Sequence, residues 1–250
     1  TLLTQTKVEN IVKKGDAVHS VVLSQGNVKR TVRVKGGVVM ASGGFNRHPT
    51  KRAEMLPGAD VTWCPGAPGH TGAAQDLALA AGARFGEGGL SNAFWAPVST
   101  RQRADGTTAV FPHFVMDRGK PGMITVNQNG QRFLNESTSY HLFGIAMQEA
   151  HQHTPSVPSW LIADAAALKR YGMGMVRPGG GGLAPFLADG YLTQADSLGE
   201  LAQKLNMRAD VLQATVAAFN ESAIKGEDSV FHRGTTDYQR ANGDATWHGP

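Results

Sequence analysis

The stretch Pro121-Gly122-Met123-Ile124-Thr125-Val126-Asn127-Gln128-Asn129-Gly130-Gln131-Arg132-Phe133-Leu134-Asn135-Glu136 decides the fold of this 250-residue chain. Its pattern is typical of a strand, a turn, a second short strand and the start of a helix. Asn129-Gly130 marks the turn, because this dipeptide is the strongest two-residue signal for a β-hairpin. Arg132 and Glu136 are predicted to form a structural pair that pins the hairpin, with direct catalysis as the alternative.

The residues on the N-terminal side predict four strands over residues 5–41. Turn signals at 14–16 and 25–27 separate three runs that fit an antiparallel meander. The fourth run, residues 37–41, is continuously apolar, which fits a strand buried on both faces of a parallel sheet. It ends in Ser42-Gly43-Gly44, and glycines at the carboxyl end of such a strand let the backbone approach a ligand. An ordinary tight turn is the alternative.

Helices are predicted on both sides of a β-like, loop-rich region that covers residues 90–135. Thr71 can cap a helix that runs to residue 83. Further helices are predicted over residues 137–150, from a capping box at Ser197 and Glu200 to residue 205, and from a cap at Asp210 to about residue 225.

Composition and charge exclude several classes of function. The net charge of +4 comes from 24 basic and 20 acidic residues that are scattered along the chain, so no basic stripe predicts nucleic-acid binding. No apolar run approaches the roughly 18–20 residues of a membrane span. The single cysteine, Cys64, fits a reducing compartment, and we expect a cytoplasmic location. His151 and His153 are two residues apart and face different ways on a helix, so no metal site is predicted.

Three motifs resemble those of the fumarate reductase/succinate dehydrogenase flavoprotein superfamily, the FAD-binding type 2 proteins. Residues 121–136 are similar to the signature V-N-x-x-G-x-R-F-x-N-E. Residues 38–45 resemble the segment A-T-G-G-F, with Ser42 where Thr is common. Residues 69–74, with Ala80-Ala81-Gly82-Ala83, resemble N-T-G-D-G … A-A-G-A, with Ala74 in place of the usual Asp. The resemblance implies FAD as the cofactor, and it implies these contact residues: Val8, Ala41, Ser42, Gly43, Gly44, Thr71 and Gly72.

The residues after Glu136 discriminate within the superfamily. Fumarate reductases carry an Arg a few positions after the signature, whereas this chain has Tyr140. Tyrosine in this place is similar to the 3-ketosteroid dehydrogenases, whose segment reads R-F-x-N-E-x-x-P-Y. The resemblance implies that Tyr140 is the catalytic acid/base, and that Arg118 and His141 contact the substrate. A structural ion pair remains the alternative for Arg118, and a structural role remains the alternative for His141.

Fold and function follow from this resemblance as expectations. The fold is expected to be α/β, with residues 1–90 as the C-terminal part of an FAD-binding domain and residues 91–250 as an α+β capping, substrate-binding domain. The first part would contain the β-meander, a parallel strand and a helix. The sequence has no G-x-G-x-x-G, so we expect the chain to be a fragment of a longer protein. The implied partners are a small molecule with a carbonyl, the remainder of the FAD-binding domain and an electron acceptor of unknown identity.

The expected reaction is the FAD-dependent dehydrogenation or reduction of a C–C bond next to a carbonyl, for example in a 3-ketosteroid-like ketone. The first alternative is a dicarboxylate oxidoreductase of the fumarate/succinate type, with Arg118 or Arg132 as a carboxylate clamp. The second alternative is a cap or binding module that has no chemistry of its own when isolated.

Overall fold

The computed structural model describes residues 1–86 and 89–247. The chain divides into two compact units, residues 1–93 and 94–250. Each unit combines helices with a small antiparallel sheet or two, so the mixed α/β class predicted from the sequence is confirmed. The roles predicted for residues 1–90 and 91–250 stay predictions. Within the described part of the chain, no helix is long and apolar enough to cross a bilayer.

The first unit is built on an antiparallel meander. Its elements are β1 (Lys7–Lys14), β2 (Ala17–Gln25), β3 (Val28–Arg33), α1 (Pro49–Met55), a 3₁₀ turn (Val61–Trp63) and α2 (Ala73–Ala80). β1 pairs with β2 and β2 with β3, and tight turns at Gly15 and Gly26, both with positive φ, join them. Ile11 and Leu23 are buried, whereas every side chain of β3 is exposed. β1 also packs against the second helix, α2.

The fourth strand predicted for residues 37–41 is absent, so three of the four strands are confirmed. Val39 is 93% exposed and Met40 is 40% exposed. A continuous apolar run is buried as a strand only when neighbouring strands cover it, and no described strand pairs with this one. The sequence therefore identified an apolar segment correctly, but the sheet that would bury it is not formed by the described residues.

The second unit contains two two-stranded sheets and six helices among its described residues. Its elements are β4 (Val98–Gln102), β5 (Thr108–Pro112), β6 (Met123–Val126), α3 (Tyr140–His151), β7 (Trp160–Ala163), α4 (Ala165–Tyr171), α5 (Ala184–Ala188), α6 (Leu198–Lys204), α7 (Ala209–Lys225) and α8 (Asp237–Asn242). β4 pairs with β5, and β6 pairs with β7.

The core of the second unit lies where β6 packs against α6 and α7. Ile124 and Val126 of β6 meet Ala202 of α6 and Leu212 of α7, and all four are buried. Val216 and Phe219 follow Leu212 at the i+4 and i+7 positions, so α7 presents one apolar stripe to this core. The apolar face predicted for this helix is therefore confirmed.

Two details of the predicted elements are wrong in the second unit. The turn at Asn129-Gly130 forms, but the second hairpin strand does not, because β6 pairs with β7 instead. The Asn127 Oδ1 atom accepts the N–H groups of Asn129 and Gln131, each at 3.0 Å, and so closes a local loop. Asp210 is not the cap of α7, because Arg208 holds the cap position and pairs with Asp210.

The capping box at the start of α6 is confirmed in its main bond. Ser197 Oγ accepts the Glu200 N–H at 3.1 Å. Glu200 Oε2 accepts the N–H of Asp196 at 3.0 Å, one residue before the position that the motif usually uses. Both bonds satisfy backbone donors at the helix start.

Candidate active site

A buried network of ion pairs underlies the segment that leads to α3. Arg132 donates two hydrogen bonds to the Glu136 carboxylate, at 2.8 and 2.7 Å, and a third to Asp228 at 2.8 Å. Arg233 lies 3.5 Å from Glu136 and donates to the carbonyls of residues 120 and 123. Glu136 is fully buried. The structural pair predicted for Arg132 and Glu136 is therefore confirmed, and it ties the signature stretch to residues 228–233.

Burial and pairing act in opposite directions on the charges of this network. Burial disfavours the charged form of Arg132, but the hydrogen bonds to Glu136 and Asp228 outweigh it and raise the pKa of the guanidinium. Burial would raise the pKa of Asp228, yet hydrogen bonds from Arg132 and from the N–H groups of Phe231 and Val230 hold this pKa below its usual value. Arg132 and Asp228 are therefore charged at neutral pH, and each ion depends on its partner.

Arg118 is buried beneath the start of α3, with 1% of its surface exposed. Its guanidinium donates to the carbonyls of His113 at 3.2 Å, Thr138 at 2.8 Å and Glu136, and it stacks over the Phe143 ring. Burial lowers the pKa of Arg118 to about 10, so the group stays charged at neutral pH. These contacts favour the structural alternative for Arg118 over contact with a substrate.

Tyr140 is the first residue of α3. Ser139 caps this helix, and its Oγ atom accepts the Leu142 N–H at 3.3 Å. The Tyr140 ring is half-buried and meets the Phe114 ring edge-on, with 5.1 Å between the centroids. The helix predicted from residue 137 therefore starts three residues later, which places Tyr140 directly behind the cap.

His141 follows Tyr140 and is held by the backbone of Trp95. The Trp95 N–H donates to His141 Nδ1 at 3.1 Å, so the proton of a neutral ring lies on Nε2. The exposed ring of Phe94 packs on the imidazole, with 5.0 Å between the centroids. Tyr140 thus contacts Phe114 from the loop after β5, and His141 contacts Phe94 from the loop before β4.

The start of α3 carries an exposed apolar face. Phe94 and Phe114 contact His141 and Tyr140, Leu142 follows them, and all three are exposed, at 82%, 43% and 46%; Met116, two residues after Phe114 in the sequence, is 70% exposed. We call these four residues the apolar face. A cluster of exposed aromatic and aliphatic groups marks a binding surface for another apolar group.

The segments predicted to bind the cofactor meet in the first unit. The Gly72 N–H donates to the Gly44 carbonyl at 3.0 Å, which joins the glycine turn to the start of α2. Gly43 has φ of +88°, a conformation that favours glycine. Ala41, Ser42 and Gly43 are exposed. The prediction that Thr71 caps α2 is wrong, because Gly72 occupies the cap and leaves the first N–H groups of α2 without a side-chain acceptor.

Val8, the remaining predicted contact, lies in β1 and is 39% exposed. β1 packs against α2, so Val8 belongs to the same unit as the glycine turn. Its side chain is not placed against that turn by any described contact.

The glycine turn fits a polar ligand such as FAD. His70 Nδ1 and Gln75 Oε1 are buried and have no hydrogen-bond partner within the described residues. A Cβ on Gly43 would lie 2.6 Å from the His70 ring, and one on Gly72 would lie 3.1 Å from Gln75 Oε1. Unpartnered polar atoms, free N–H groups and close backbone approach are what a phosphate-bearing cofactor requires. His70 and Gln75 were not predicted from the sequence as ligand contacts, although His70 directly precedes the Thr71-Gly72 motif and Gln75 follows it by three residues.

No group of three or more metal-ligating side chains occurs in residues 1–86 and 89–247. His151 Nδ1 instead accepts the N–H groups of Ser156 and Val157, at 3.2 and 3.3 Å. Its position at the C-terminal end of α3 is therefore accounted for by backbone contacts.

Comparison with known proteins identifies the family. The FAD binding domain family matches residues 1–249. The chain belongs to this family. Membership confirms FAD as the cofactor predicted from the sequence, and it places the glycine turn and the signature stretch within one known type of flavoprotein.

Curated members of the family include dehydrogenases of cyclic ketones. The chain is 38% identical over 216 residues to the 4-oxocyclohex-2-ene-1-carboxylate 5-dehydrogenase of Sinomonas cyclohexanicum, which covers 85% of this chain and 36% of that protein. It is 32% identical over 253 residues to the 3-oxosteroid 1-dehydrogenase of Mycolicibacterium smegmatis, with 98% of this chain and 43% of that protein covered. The predicted 3-ketosteroid dehydrogenase-like branch is thereby confirmed.

A solved structure in this branch has a similar fold. The 3-ketosteroid delta1-dehydrogenase from Sterolibacterium denitrificans, in complex with 1,4-androstadiene-3,17-dione, superimposes with a TM-score of 0.76 at 30% identity. The match covers 96% of this chain and 43% of that structure. The chain thus spans about two fifths of the length of the relatives that it matches.

Proposed function

We propose that this chain contributes the substrate cap and the proton-transferring residue of an FAD-dependent dehydrogenase that acts on the C–C bond next to the carbonyl of a cyclic ketone. One observation carries the proposal. Tyr140 is the first residue of α3 and lies beside the apolar face. The buried Arg132–Glu136 network precedes it in the chain and holds the backbone that leads to it. A hydroxyl on a rigid support next to an apolar surface suits proton transfer to or from an apolar ketone.

Tyr140 is assigned the proton step of the reaction. A hydrogen on the carbon next to a carbonyl is acidic enough for a positioned side chain to remove it, and Tyr140 can accept that proton as the phenolate and return it as the phenol. When bound, FAD supplies the hydride acceptor or donor for the neighbouring carbon. Arg118 acts by positioning, because it holds the carbonyls of residues 136 and 138 immediately before the helix.

The apolar face defines the substrate class. Phe94, Phe114 and Met116 offer aromatic and thioether surface but no charge, so they suit an alicyclic or steroid-like ring. His141 adds an Nε2–H donor that suits a carbonyl oxygen of the substrate. The named relatives act on an oxosteroid and on an oxocyclohexene carboxylate, and both of these are cyclic ketones.

The cofactor is assigned to the first unit. Residues 41–44 and 71–72 would hold FAD through backbone N–H groups and the free start of α2, with Val8 of β1 in the same unit. Residues 1–90 are then the C-terminal part of an FAD-binding domain, and residues 91–250 are the cap.

The dicarboxylate alternative finds less support. It requires Arg118 or Arg132 to clamp a substrate carboxylate. Arg118 donates to three backbone carbonyls, and Arg132 donates to Glu136 and Asp228, so neither guanidinium offers an open pair of donors.

The substitution Tyr140→Phe in the full-length, FAD-loaded protein tests the proposal. The phenyl ring keeps the contact with Phe114 but cannot carry a proton, so flavin reduction by a 3-ketosteroid or an oxocyclohexane substrate should slow by roughly 10²–10⁴-fold. Tyr171→Phe is the control, because the Tyr171 hydroxyl donates to Asp244 at 2.7 Å and has no described contact with the apolar face, so the rate should stay unchanged. A Tyr140→Phe rate within a few-fold of the parent, with normal flavin content, would remove Tyr140 from the mechanism.

A further inference from the structure

We propose that Ser99, His113 and Asp117 form a second catalytic site, in which the Ser99 hydroxyl attacks the carbonyl carbon of a small apolar ester. The site belongs to the sheet of β4 and β5 and shares no residue with the dehydrogenase roles assigned above. The test of this second site is therefore independent of the test of the proposed dehydrogenase function.

The three side chains have the distances of an activated nucleophile. Ser99 Oγ lies 2.8 Å from His113 Nε2, and His113 Nδ1 lies 2.6 Å from Asp117 Oδ2. The nucleophile, the base and the orienting acid thus form one continuous series of hydrogen bonds. Such sites are recognised by geometry rather than by the order of the residues along the chain. The sheet creates the arrangement, because the His113 N–H donates to the Pro97 carbonyl at 2.8 Å and sets His113 diagonally across from Ser99.

The direction of every proton in the chain of hydrogen bonds is consistent with activation. An ionised Asp117 can only accept, so His113 Nδ1 carries the proton and Nε2 is an acceptor. Ser99 must then donate its proton to Nε2. Tyr191 Oη accepts the Met175 N–H at 3.0 Å and lies 2.6 Å from Ser99 Oγ, so the Tyr191 proton points to the serine oxygen.

Asp117 is fixed as a carboxylate. The Arg118 N–H donates to Oδ1 at 2.8 Å, and the Gly174 N–H donates to Oδ2 at 2.9 Å. The side chains of His113 and Asp117 are 12% and 7% exposed. Burial opposes the charge, but the contacts with His113 and the two N–H groups hold the pKa of Asp117 below its usual value. The acid therefore orients the imidazole and stabilises its protonated form.

Tyr191 is placed to stabilise the oxyanion of the reaction. Its hydroxyl is a donor to Ser99 Oγ before the reaction, and Met175 holds it from the other side. Once Ser99 Oγ is bonded to the acyl carbon, the Tyr191 hydroxyl is free to donate to the oxygen on that carbon. Gly174 is needed beside it, because its φ is +57° and a Cβ there would collide with the Tyr191 hydroxyl.

The reaction balances with water as the only co-reactant. Ser99 Oγ forms a bond to the acyl carbon while its proton moves to His113 Nε2. The bond from the acyl carbon to the alcohol oxygen breaks, and the alcohol leaves with the proton from Nε2. Water then attacks the acyl carbon and gives a proton to Nε2, which returns it to Ser99 Oγ as the carboxylic acid departs.

The surroundings favour a small apolar acyl group. The Phe111 ring meets the His113 ring edge-on at 5.2 Å, and the Phe186 ring lies 5.7 Å from the Tyr191 ring. Ser99 itself is half-buried, so we expect a short acyl chain to reach its hydroxyl more readily than a large one.

Labelling of the full-length, FAD-loaded protein with a fluorophosphonate probe tests the proposal. Ser99 Oγ should bond to phosphorus with loss of fluoride, and peptide mapping should locate the label on Ser99. The label should vanish in Ser99→Ala and form roughly 10²-fold or more slowly in His113→Gln. Hydrolysis of p-nitrophenyl acetate should fall by the same factor in both variants. Neither variant should change flavin content, and Ser99→Ala should reduce flavin with a cyclic ketone at the parent rate.

Ser197 serves as an internal control. It is more exposed than Ser99 but has only the Glu200 N–H at its hydroxyl and no histidine. Label on Ser99 but not on Ser197 would show that the base, rather than access, determines the reaction. A parent protein without label on Ser99 would overturn the proposal, and so would equal labelling rates in the parent and in a folded His113→Gln variant. If His113→Gln fails to fold, Tyr191→Phe replaces it and should lower the labelling rate.

Discussion

At the scale of single residues, the signature stretch is chiefly a structural device. The buried side chains of Arg132 and Glu136 pair with each other. Arg132 also pairs with Asp228, and Glu136 with Arg233, so their charged groups are occupied by protein partners. The Phe219 and Phe231 rings cover the Arg132 guanidinium, at 4.7 and 5.0 Å. The network holds the backbone that leads to Tyr140. In the proposed reaction, the position of Tyr140 thus depends on residues that are assigned no contact with the reacting atoms.

The substitution Glu136→Gln should strongly destabilise the second unit. The amide keeps the shape of the side chain but removes the charge that two buried arginines require, and loss of one partner of a buried pair costs about 3–5 kcal/mol. Urea unfolding followed by circular dichroism measures the loss. Asp210→Asn is the matched control, because the Arg208–Asp210 pair is 76% and 67% exposed and should contribute little. Equal, small effects of both substitutions would contradict the role given to the network.

At the scale of elements, sequence patterns predicted what depends on local chemistry. Period-two runs predicted the meander, the Ser197 capping box predicted the start of α6, and the apolar spacing from Leu212 predicted the buried face of α7. The two strands that were predicted but do not form depended on distant partners. Residues 37–41 lack a described neighbour, and β6 pairs with β7 rather than across the Asn129-Gly130 turn. Local propensity does not encode which strand supplies the partner.

The same limit applies to the candidate sites. Tyr140 was found because a family motif precedes it, whereas Ser99 and Tyr191 lie 92 residues apart and form no pattern in the sequence. His70 and Gln75 were missed because a buried atom without a partner is visible only in three dimensions. The sequence therefore identified residues within motifs and missed those that only the fold brings together.

Gly144 tests how α3 is seated at the element scale. Alanine normally stabilises a helix by about 1 kcal/mol relative to glycine. At Gly144, however, a Cβ would lie 2.6 Å from the Trp95 Cβ, so Gly144→Ala should lower the melting temperature. Gly199→Ala in α6 is the opposite case, because its Cβ would meet nothing closer than 3.5 Å and should raise stability. Thermal melts of both variants decide the matter, and a gain at Gly144 would mean that α3 does not pack closely on Trp95.

At the scale of the whole molecule, the two units carry different parts of the proposed chemistry. The first contains the glycine turn and the free start of α2, and the second contains Tyr140 with the apolar face. The family match covers both units, but the chain spans only about two fifths of its relatives. The non-catalytic alternative, a cap or binding module, therefore concerns the 250-residue chain by itself.

Retention of FAD separates these two cases. The predicted contacts of the 250-residue chain are confined to an exposed turn and one helix start, and the sequence has no G-x-G-x-x-G to bind the pyrophosphate. The chain, purified with excess FAD and desalted, should therefore be colourless, whereas the full-length protein should keep its flavin absorption.

The substitution Gly44→Val tests the glycine turn in the full-length protein, where it should cause loss of FAD. A Cβ at Gly44 meets only side-chain atoms, Asn46 Oδ1 at 3.3 Å and Gln75 Nε2 at 3.8 Å, so loss of flavin without a change in melting would report contact with the cofactor. Gly43→Val is less informative, because its positive φ and the His70 ring would strain the fold even without FAD. Stoichiometric flavin on the desalted 250-residue chain would show that its residues hold FAD without the G-x-G-x-x-G motif, and full flavin in Gly44→Val would show that the glycine turn is not the cofactor contact proposed here.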